Sequence, residues 1–248
     1  MTSHTLQHHA QALLTKASAP YTQVLQASRI CLLPYQVHSI TQSQWLAQSD
    51  QLPRANIQHA QPKRQASYYY GRLCAHQALS QLNCQTKVHM GMYNEPIWPK
   101  GFMGSITHTH EMAGAVASSH PLIKGIGIDI ENILQSCDAN IVFNSVLTKK
   151  EAASFETEFR HTSQLSHAHL LTTIFSIKES FYKAAFNQVK RILEFDAIEI
   201  IHISEDRAQY RINDHDTCKA LNISPEMTLT AHYQIMSKCV ITILILMK

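Results

Sequence analysis

The stretch Gly125-Ile126-Gly127-Ile128-Asp129-Ile130-Glu131 has the most chemistry to offer in this chain. Its alternation predicts a strand, and a strand turns successive side chains to opposite faces. Ile126, Ile128 and Ile130 then share one face. Gly125, Gly127, Asp129 and Glu131 share the other, with the two carboxylates about 6.5 to 7 Å apart and open space expected beside the glycines. Like charges so placed repel unless a cation or basic group lies near. Hard oxygen ligands in a small cluster suit Mg²⁺, which keeps its waters and usually bridges phosphates. The competing reading is a solvated edge strand with two exposed acids. Further along, Phe175-Ser176-Ile177-Lys178-Glu179-Ser180-Phe181-Tyr182-Lys183-Ala184 reads as a helix. At about 100° per residue, Ile174, Ile177, Phe181, Ala184 and Ala185 form one apolar face, while Glu179 and Lys183 lie four apart on the opposite side. A third carboxylate and an amine are thus presented together; the alternative is an ordinary surface ion pair. In a third stretch, Gly104-Ser105-Ile106-Thr107-His108, the hydroxyls stand opposite the isoleucine as donors suited to phosphate oxygens. His108 and His110 would alternatively form a zinc pair on one strand face, but no Cys or third His stands at motif spacing.

The elements that must position these groups belong to a chain of 248 residues, long enough for one large domain or two smaller halves. Charge is scarce, at 16%, and 16 histidines nearly match the 18 acids, so the net charge of +3 should climb on mild acidification. Lys and Arg form no clusters of the kind that mark nucleic-acid binders, and a smaller phosphate-bearing ligand fits better. Hydrophobic residues at 45% exclude disorder. Cysteines 31, 74, 84, 137, 218 and 239 form no CxxC pair, which argues against a zinc ribbon or a disulfide framework and for reduced, mostly buried thiols. Residues 1–30 lack the apolar core of a secretory signal, and the run from Val240 to Met247 is too short to span a bilayer, so no membrane association and a cytoplasmic location are expected.

In the first sixty residues, punctuated by Pro20, Pro34, Pro53 and Pro62, short helices and one strand at Arg29–Leu33 are expected. A long helix is predicted from Lys63 to Leu82, with Ala66, Tyr70, Leu73, Ala78 and Leu82 as its apolar spacing and Gly71 as an internal weak point; it carries Arg64 and Arg72. Strands follow at Gly104–His108, Ala113–Ser118 and Gly125–Glu131. Thr148 with Glu151 three residues on has the form of a capping box. A second long helix runs from about Leu165 to Asn187. Segments Ile198–Ile203, Gln209–Ile212, Leu229–Ile235 and Val240–Met247 read as a meander, the last strand buried on both faces. Helix, strands, helix, strands is an α+β order with two comparable halves.

Over residues 63 to 187 these segments resemble, in order and spacing, the motifs of 4′-phosphopantetheinyl transferases of the larger, surfactin-type class, most closely the enterobactin synthetase component D group. The resemblance rests on Lys63 to Ala75, on Pro96-Ile97-Trp98-Pro99-Lys100-Gly101 leading into Gly104 to His108, on the G-I-D-x-E pattern at 127–131 and on the K-E-S-x-x-K pattern at 178–183. It implies transfer of 4′-phosphopantetheine from coenzyme A to a serine of an acyl, aryl or peptidyl carrier protein, with release of adenosine 3′,5′-bisphosphate. By the same resemblance Asp129, Glu131 and Glu179 hold Mg²⁺ on the coenzyme A pyrophosphate. Glu179 or a metal-bound water accepts the serine proton, and Lys183 stabilises the departing phosphate. Arg64, Arg72, Ser105, Thr107 and His108 are the implied coenzyme A contacts, His108 meeting the 3′-phosphate. The implied fold has two similar halves, 1–122 and 123–248, related by a pseudo-twofold. Each is a long helix on a small, mainly antiparallel sheet, with the ligand in the cleft between them, and the protein is a monomer.

The chain departs from the family pattern in carrying Asn94 and Glu95 where a basic residue commonly precedes the Pro-x-x-Pro step; Lys100 is a possible substitute. Two rival readings are a non-catalytic coenzyme A or carrier-protein binding module, which should have lost a metal ligand, and a metal-dependent nucleotide phosphodiesterase, which should show further His and Asp ligands around a second ion.

Overall fold

A computed structural model describes residues 3–19, 22–48 and 54–248, without the side chains of 3, 22, 48 and 136–138. Pro20 and Pro53 lie outside the described residues. The chain divides into two compact units, Met1–Ile123 and Lys124–Lys248. Both combine helices with antiparallel strand pairs, the α+β class.

The first unit contains α1 (Ser3–Ser18), α2 (Thr22–Gln26), β1 (Ser28–Pro34), α3 (Gln42–Gln48), α4 (Ala55–Gln58), α5 (Pro62–Ser80), β2 (His89–Met90), β3 (Pro96–Ile97), β4 (Met103–His108) and β5 (Met112–Ser118). β5 is the centre of a three-stranded sheet, paired antiparallel with β1 on one side and β4 on the other. Helix α5 packs across this sheet, opened by Pro62, whose missing N–H costs nothing in a first turn. Its buried face includes the expected Ala66 and Ala78, with Tyr70 and Leu82 packed at its margin, but is centred elsewhere. Tyr70 and Leu73 are half-buried, whereas Gly71, Cys74, Ala75 and Ala78 are buried, next to Ala113, Ala115 and Ala117 of β5. Small residues on both surfaces bring helix and sheet close together. Gly71 marks that closeness: a Cβ there would lie 2.8 Å from Ile106 Cγ2, so it is a contact point and no helix stop. The 16-residue α1 also exceeds the short helices expected there. Its polar composition hides a helical stripe, Leu6, Ala10, Leu13 and Leu14, all buried.

The second unit contains β6 (Ile123–Asn132), α6 (Ser136–Val146), α7 (Lys149–Ser154), a π-turn at Phe155–Phe159, α8 (Arg160–Ser163), α9 (His167–Val189), β7 (Ile198–Ile203), β8 (Arg207–Ile212), α10 (His215–Leu221), β9 (Leu229–Ile235) and β10 (Cys239–Met247). β7 to β10 form the antiparallel meander that their alternation announces, and β10 is followed in the sheet by β6 at the edge. β10 is buried along most of its length on both faces. Thr148 and Glu151 close the capping box at α7, and Ser166 caps α9 by accepting from the His169 N–H. The predicted apolar face of α9 is the observed one: Ile174, Ile177, Phe181, Ala184 and Ala185 join Ile200, Tyr210, Tyr233 and Leu244 in one core. Cys31, Cys74, Cys218 and Cys239 are free and buried, Cys84 is free and half-buried, and the Cys137 side chain lies outside the described residues. Among the described residues no helix is long and apolar enough to cross a membrane.

Candidate functional site

β6 and α9 meet at the two glycines. A Cβ on Gly127 would lie 1.9 Å from the Ser180 carbonyl oxygen, and one on Gly125 would lie 2.3 Å from that of Ala184. The open space expected beside the glycines is therefore occupied by the backbone of α9. Only a residue without a side chain lets the helix lie this close, and the closeness is what carries Glu179 and Lys183 to the carboxylates of the strand.

Asp129 is 2% exposed although β6 is an edge strand, so the solvated-edge reading does not hold for it. Its Oδ1 accepts from Lys183 Nζ at 2.5 Å and its Oδ2 from Ser176 Oγ at 2.8 Å. The amine of α9 is thus engaged by the strand, which a simple surface pair between Glu179 and Lys183 would not produce. Glu131 and Glu179 are half-buried beside them. Burial, with the negative charges of Asp129 and Glu179 and against the pull of Lys183, pushes the Glu131 carboxyl up to about 8. Burial also raises Glu179, with Lys183 opposing and Asp129 adding to the shift. Asp129, Glu131, Glu179 and Lys183 therefore act on one another electrostatically as one group.

The donor chemistry of this group fits Mg²⁺: Asp129, Glu131 and Glu179 are hard oxygen donors within electrostatic reach of one another with Lys183 as their nearby cation, and a carboxyl held near 8 marks a place where more positive charge would be favourable. Among the described residues, however, no three His, Cys, Asp or Glu side chains converge as a ready-made metal cage. Mg²⁺ sites need no such cage, since the ion keeps several waters and takes one or two carboxylates together with substrate phosphates.

Lys178, the first lysine of the K-E-S-x-x-K pattern, lies away from this group. It is buried, donating to Glu151 Oε2 at 2.6 Å and to the Val146 carbonyl at 2.8 Å, while Glu151 Oε1 accepts from the Ile200 N–H at 2.7 Å. Three hydroxyls that pattern reading missed, Ser176, Ser180 and Thr242, are fully buried under Asp129. The available signal was a pair of serines at i and i+4 inside an otherwise apolar helix face.

In the first unit, Arg64 is exposed on the first turn of α5. Arg72 is half-buried with its guanidinium 4.8 Å from the centre of the Tyr68 ring, and its buried Nε has no hydrogen-bond partner. Ser105 and Thr107 share one face of β4 and are each 2% exposed, whereas His108 at the strand end is exposed. Glu95, at the position of the family departure, accepts from the Tyr93 N–H at 2.8 Å and so closes the turn between β2 and β3; Lys100 is exposed.

Two family models divide this chain much as its motifs do. That of the 4′-phosphopantetheinyl transferase N-terminal domain matches residues 52–118, and that of the 4′-phosphopantetheinyl transferase superfamily matches residues 125–235. Enterobactin synthase component D of Salmonella typhimurium is 36% identical over 145 residues, covering 58% of this chain and 56% of that protein. Its counterpart in Escherichia coli is 31% identical over 189 residues, covering 76% and 81% respectively. The 4′-phosphopantetheinyl transferase PptT of Mycobacterium tuberculosis is 31% identical over 139 residues, covering 56% and 58%. The chain thus spans little more than half the length of the Salmonella and Mycobacterium relatives and four-fifths of the Escherichia one. It belongs to the 4′-phosphopantetheinyl transferase superfamily.

Proposed function

We propose that this protein transfers 4′-phosphopantetheine from coenzyme A to a serine of an apo acyl or peptidyl carrier protein, with Mg²⁺ as cofactor, acting as a monomer in the cytoplasm. The observation that carries the reading is the pairing of Lys183 with Asp129 where β6 meets α9, within electrostatic reach of Glu131 and Glu179. The serine hydroxyl attacks the phosphorus next to pantetheine, the P–O bond of the pyrophosphate breaks, and adenosine 3′,5′-bisphosphate leaves. Such a step asks the protein for alignment and charge neutralisation more than for covalent chemistry. Bound by Asp129, Glu131 and Glu179, Mg²⁺ would supply neutralisation of the pyrophosphate charge. Glu179 takes the serine proton. Lys183, 25% exposed and held by Asp129, is placed to turn its ammonium toward the phosphate that leaves.

A cavity of about 280 Å³ that Glu179 lines together with Lys178, Phe181, Tyr182, Leu193, Glu194 and Phe195 is a mainly apolar recess of the kind that suits the uncharged pantetheine arm, although Asp129, Glu131 and Lys183 do not line it. Arg64, Arg72, Ser105, Thr107 and His108 are proposed as coenzyme A contacts. Arg64 and His108, both exposed, are better placed to meet phosphate oxygens than the two buried hydroxyls or the half-buried Arg72. The test is to incubate the protein with coenzyme A, Mg²⁺ and a panel of apo carrier proteins and to follow their intact masses. At least one carrier gains the phosphopantetheine mass; no gain on any acyl or peptidyl carrier overturns the reading.

A further inference from the structure

Under the carboxylate group runs a line of buried hydroxyls. Ser180 Oγ lies 2.6 Å from Thr242 Oγ1, which lies 2.9 Å from Ser176 Oγ and 3.0 Å from the Ser176 carbonyl oxygen; Ser176 Oγ in turn lies 2.8 Å from Asp129 Oδ2. All three hydroxyl residues are fully buried. An ionised carboxylate only accepts, so the single proton of Ser176 goes to Asp129. Thr242 Oγ1 donates its proton on the Ser176 side, where the Ser176 carbonyl and Oγ both lie within reach, and Ser180 Oγ packs against Thr242 Oγ1 from the other side. Thr242 thereby holds Ser176, whose own proton is committed to the carboxylate. Thr242 stands on β10, beyond residue 235 where the superfamily match ends.

We propose that Thr242, acting through Ser176, is a positioning residue for the metal-binding carboxylate Asp129. Resting on the reading of Asp129 as a Mg²⁺ ligand, the inference adds what keeps that ligand in place. An aspartate carboxylate rotates easily about its last bond, and Asp129 is held from both sides, by Lys183 at Oδ1 and by Ser176 at Oδ2. When Lys183 turns to a phosphate, the hydroxyl side still fixes the orientation of Oδ1. Outer partners of this kind typically change metal affinity by about 10- to 100-fold when removed.

The test uses Mn²⁺ as the probe, its binding to the full chain measured by electron paramagnetic resonance without coenzyme A, together with the Mg²⁺ dependence of turnover. Thr242→Val, close in shape but lacking the hydroxyl, should weaken Mn²⁺ binding about tenfold and raise the Mg²⁺ needed for half-maximal rate in step, with an unchanged KM for coenzyme A. Thr242→Ser should restore both. Ser176→Ala, measured in parallel, should behave as Thr242→Val does and decides the matter if the valine variant does not fold by circular dichroism. Mn²⁺ binding within twofold of the parent in either folded variant overturns the proposal. Asp129→Ala separates this from failure of the underlying reading: if that variant still binds Mn²⁺, the metal site itself is misplaced, whereas if only it loses binding, the hydroxyl line has no positioning role.

Discussion

Both units press a long helix onto a sheet at a glycine, yet the two contacts are built in opposite senses. In the first unit the helix supplies Gly71 and the strand supplies the flexible end of a side chain, Ile106 Cγ2. In the second unit the strand supplies Gly125 and Gly127 and the helix supplies its own backbone carbonyls. A side-chain end can turn aside; a carbonyl in a helical ladder cannot. The charges follow the same division. Arg64 and His108 of the first unit stand exposed, while in the second Asp129 is buried and paired with Lys183, and Glu131 and Glu179 are half-buried beside them. The comparison separates a contact that side-chain motion can relax from one whose geometry is set when the chain folds.

Gly127→Ala should break the second contact outright. Its Cβ would meet backbone, so a loss of about 3 kcal/mol or more is expected in urea denaturation, against about 1 kcal/mol for Gly71→Ala, where Ile106 can move. Equal losses for the two would mean that the contacts are alike after all. Lys183→Ala should lower kcat by about 10²- to 10³-fold with the far-ultraviolet spectrum unchanged, as removal of a charge-stabilising group does. A kcat within tenfold of the parent would take Lys183 out of the chemistry.

Titration sharpens the contrast further. The folded-state pKa of Glu131, about 8, lies above its ordinary value of 4.5, so the folded form holds this proton more tightly than the unfolded chain does. The metal-free protein should then lose stability as pH rises from about 4.5 to about 8, and added Mg²⁺ should raise Tm more at pH 8 than at pH 5. Thermal denaturation at the two pH values, with and without Mg²⁺, checks this; an equal Mg²⁺ effect at both would contradict it. The smallest effect is expected from the exposed side of the comparison. Arg64→Ala should raise the KM for coenzyme A about tenfold, the worth of one charge-assisted hydrogen bond, while kcat and Tm stay near those of the parent.

Much of this arrangement could be read from local patterns. The alternation around Asp129, the apolar face of α9, the capping box at Thr148 and the meander each depend on residues a few positions apart, and strand and helix periods report those directly. What escaped reading depends on separation or on what is missing from a residue. Ser176 and Thr242 stand 66 positions apart, and no spacing rule connects a serine in a helix to a threonine in the last strand. The glycines of β6 read as space because a missing side chain does not say what fills the gap. The stripe of α1 was legible but was masked by its histidines and glutamines.

The pairing of Lys178 with Glu151 has a consequence for anyone wishing to move this machinery into another protein. Consecutive residues of α9 face different worlds, Lys178 toward the buried acid Glu151 and Glu179 toward the neighbourhood of Lys183 and Asp129. Turning the helix by one position would strand an ammonium in the core without its counter-charge, a penalty of several kcal/mol. The pair thus works as a rotational key. A transplanted K-E-S-x-x-K segment that left Glu151 behind would lack the part that tells the helix which way to face.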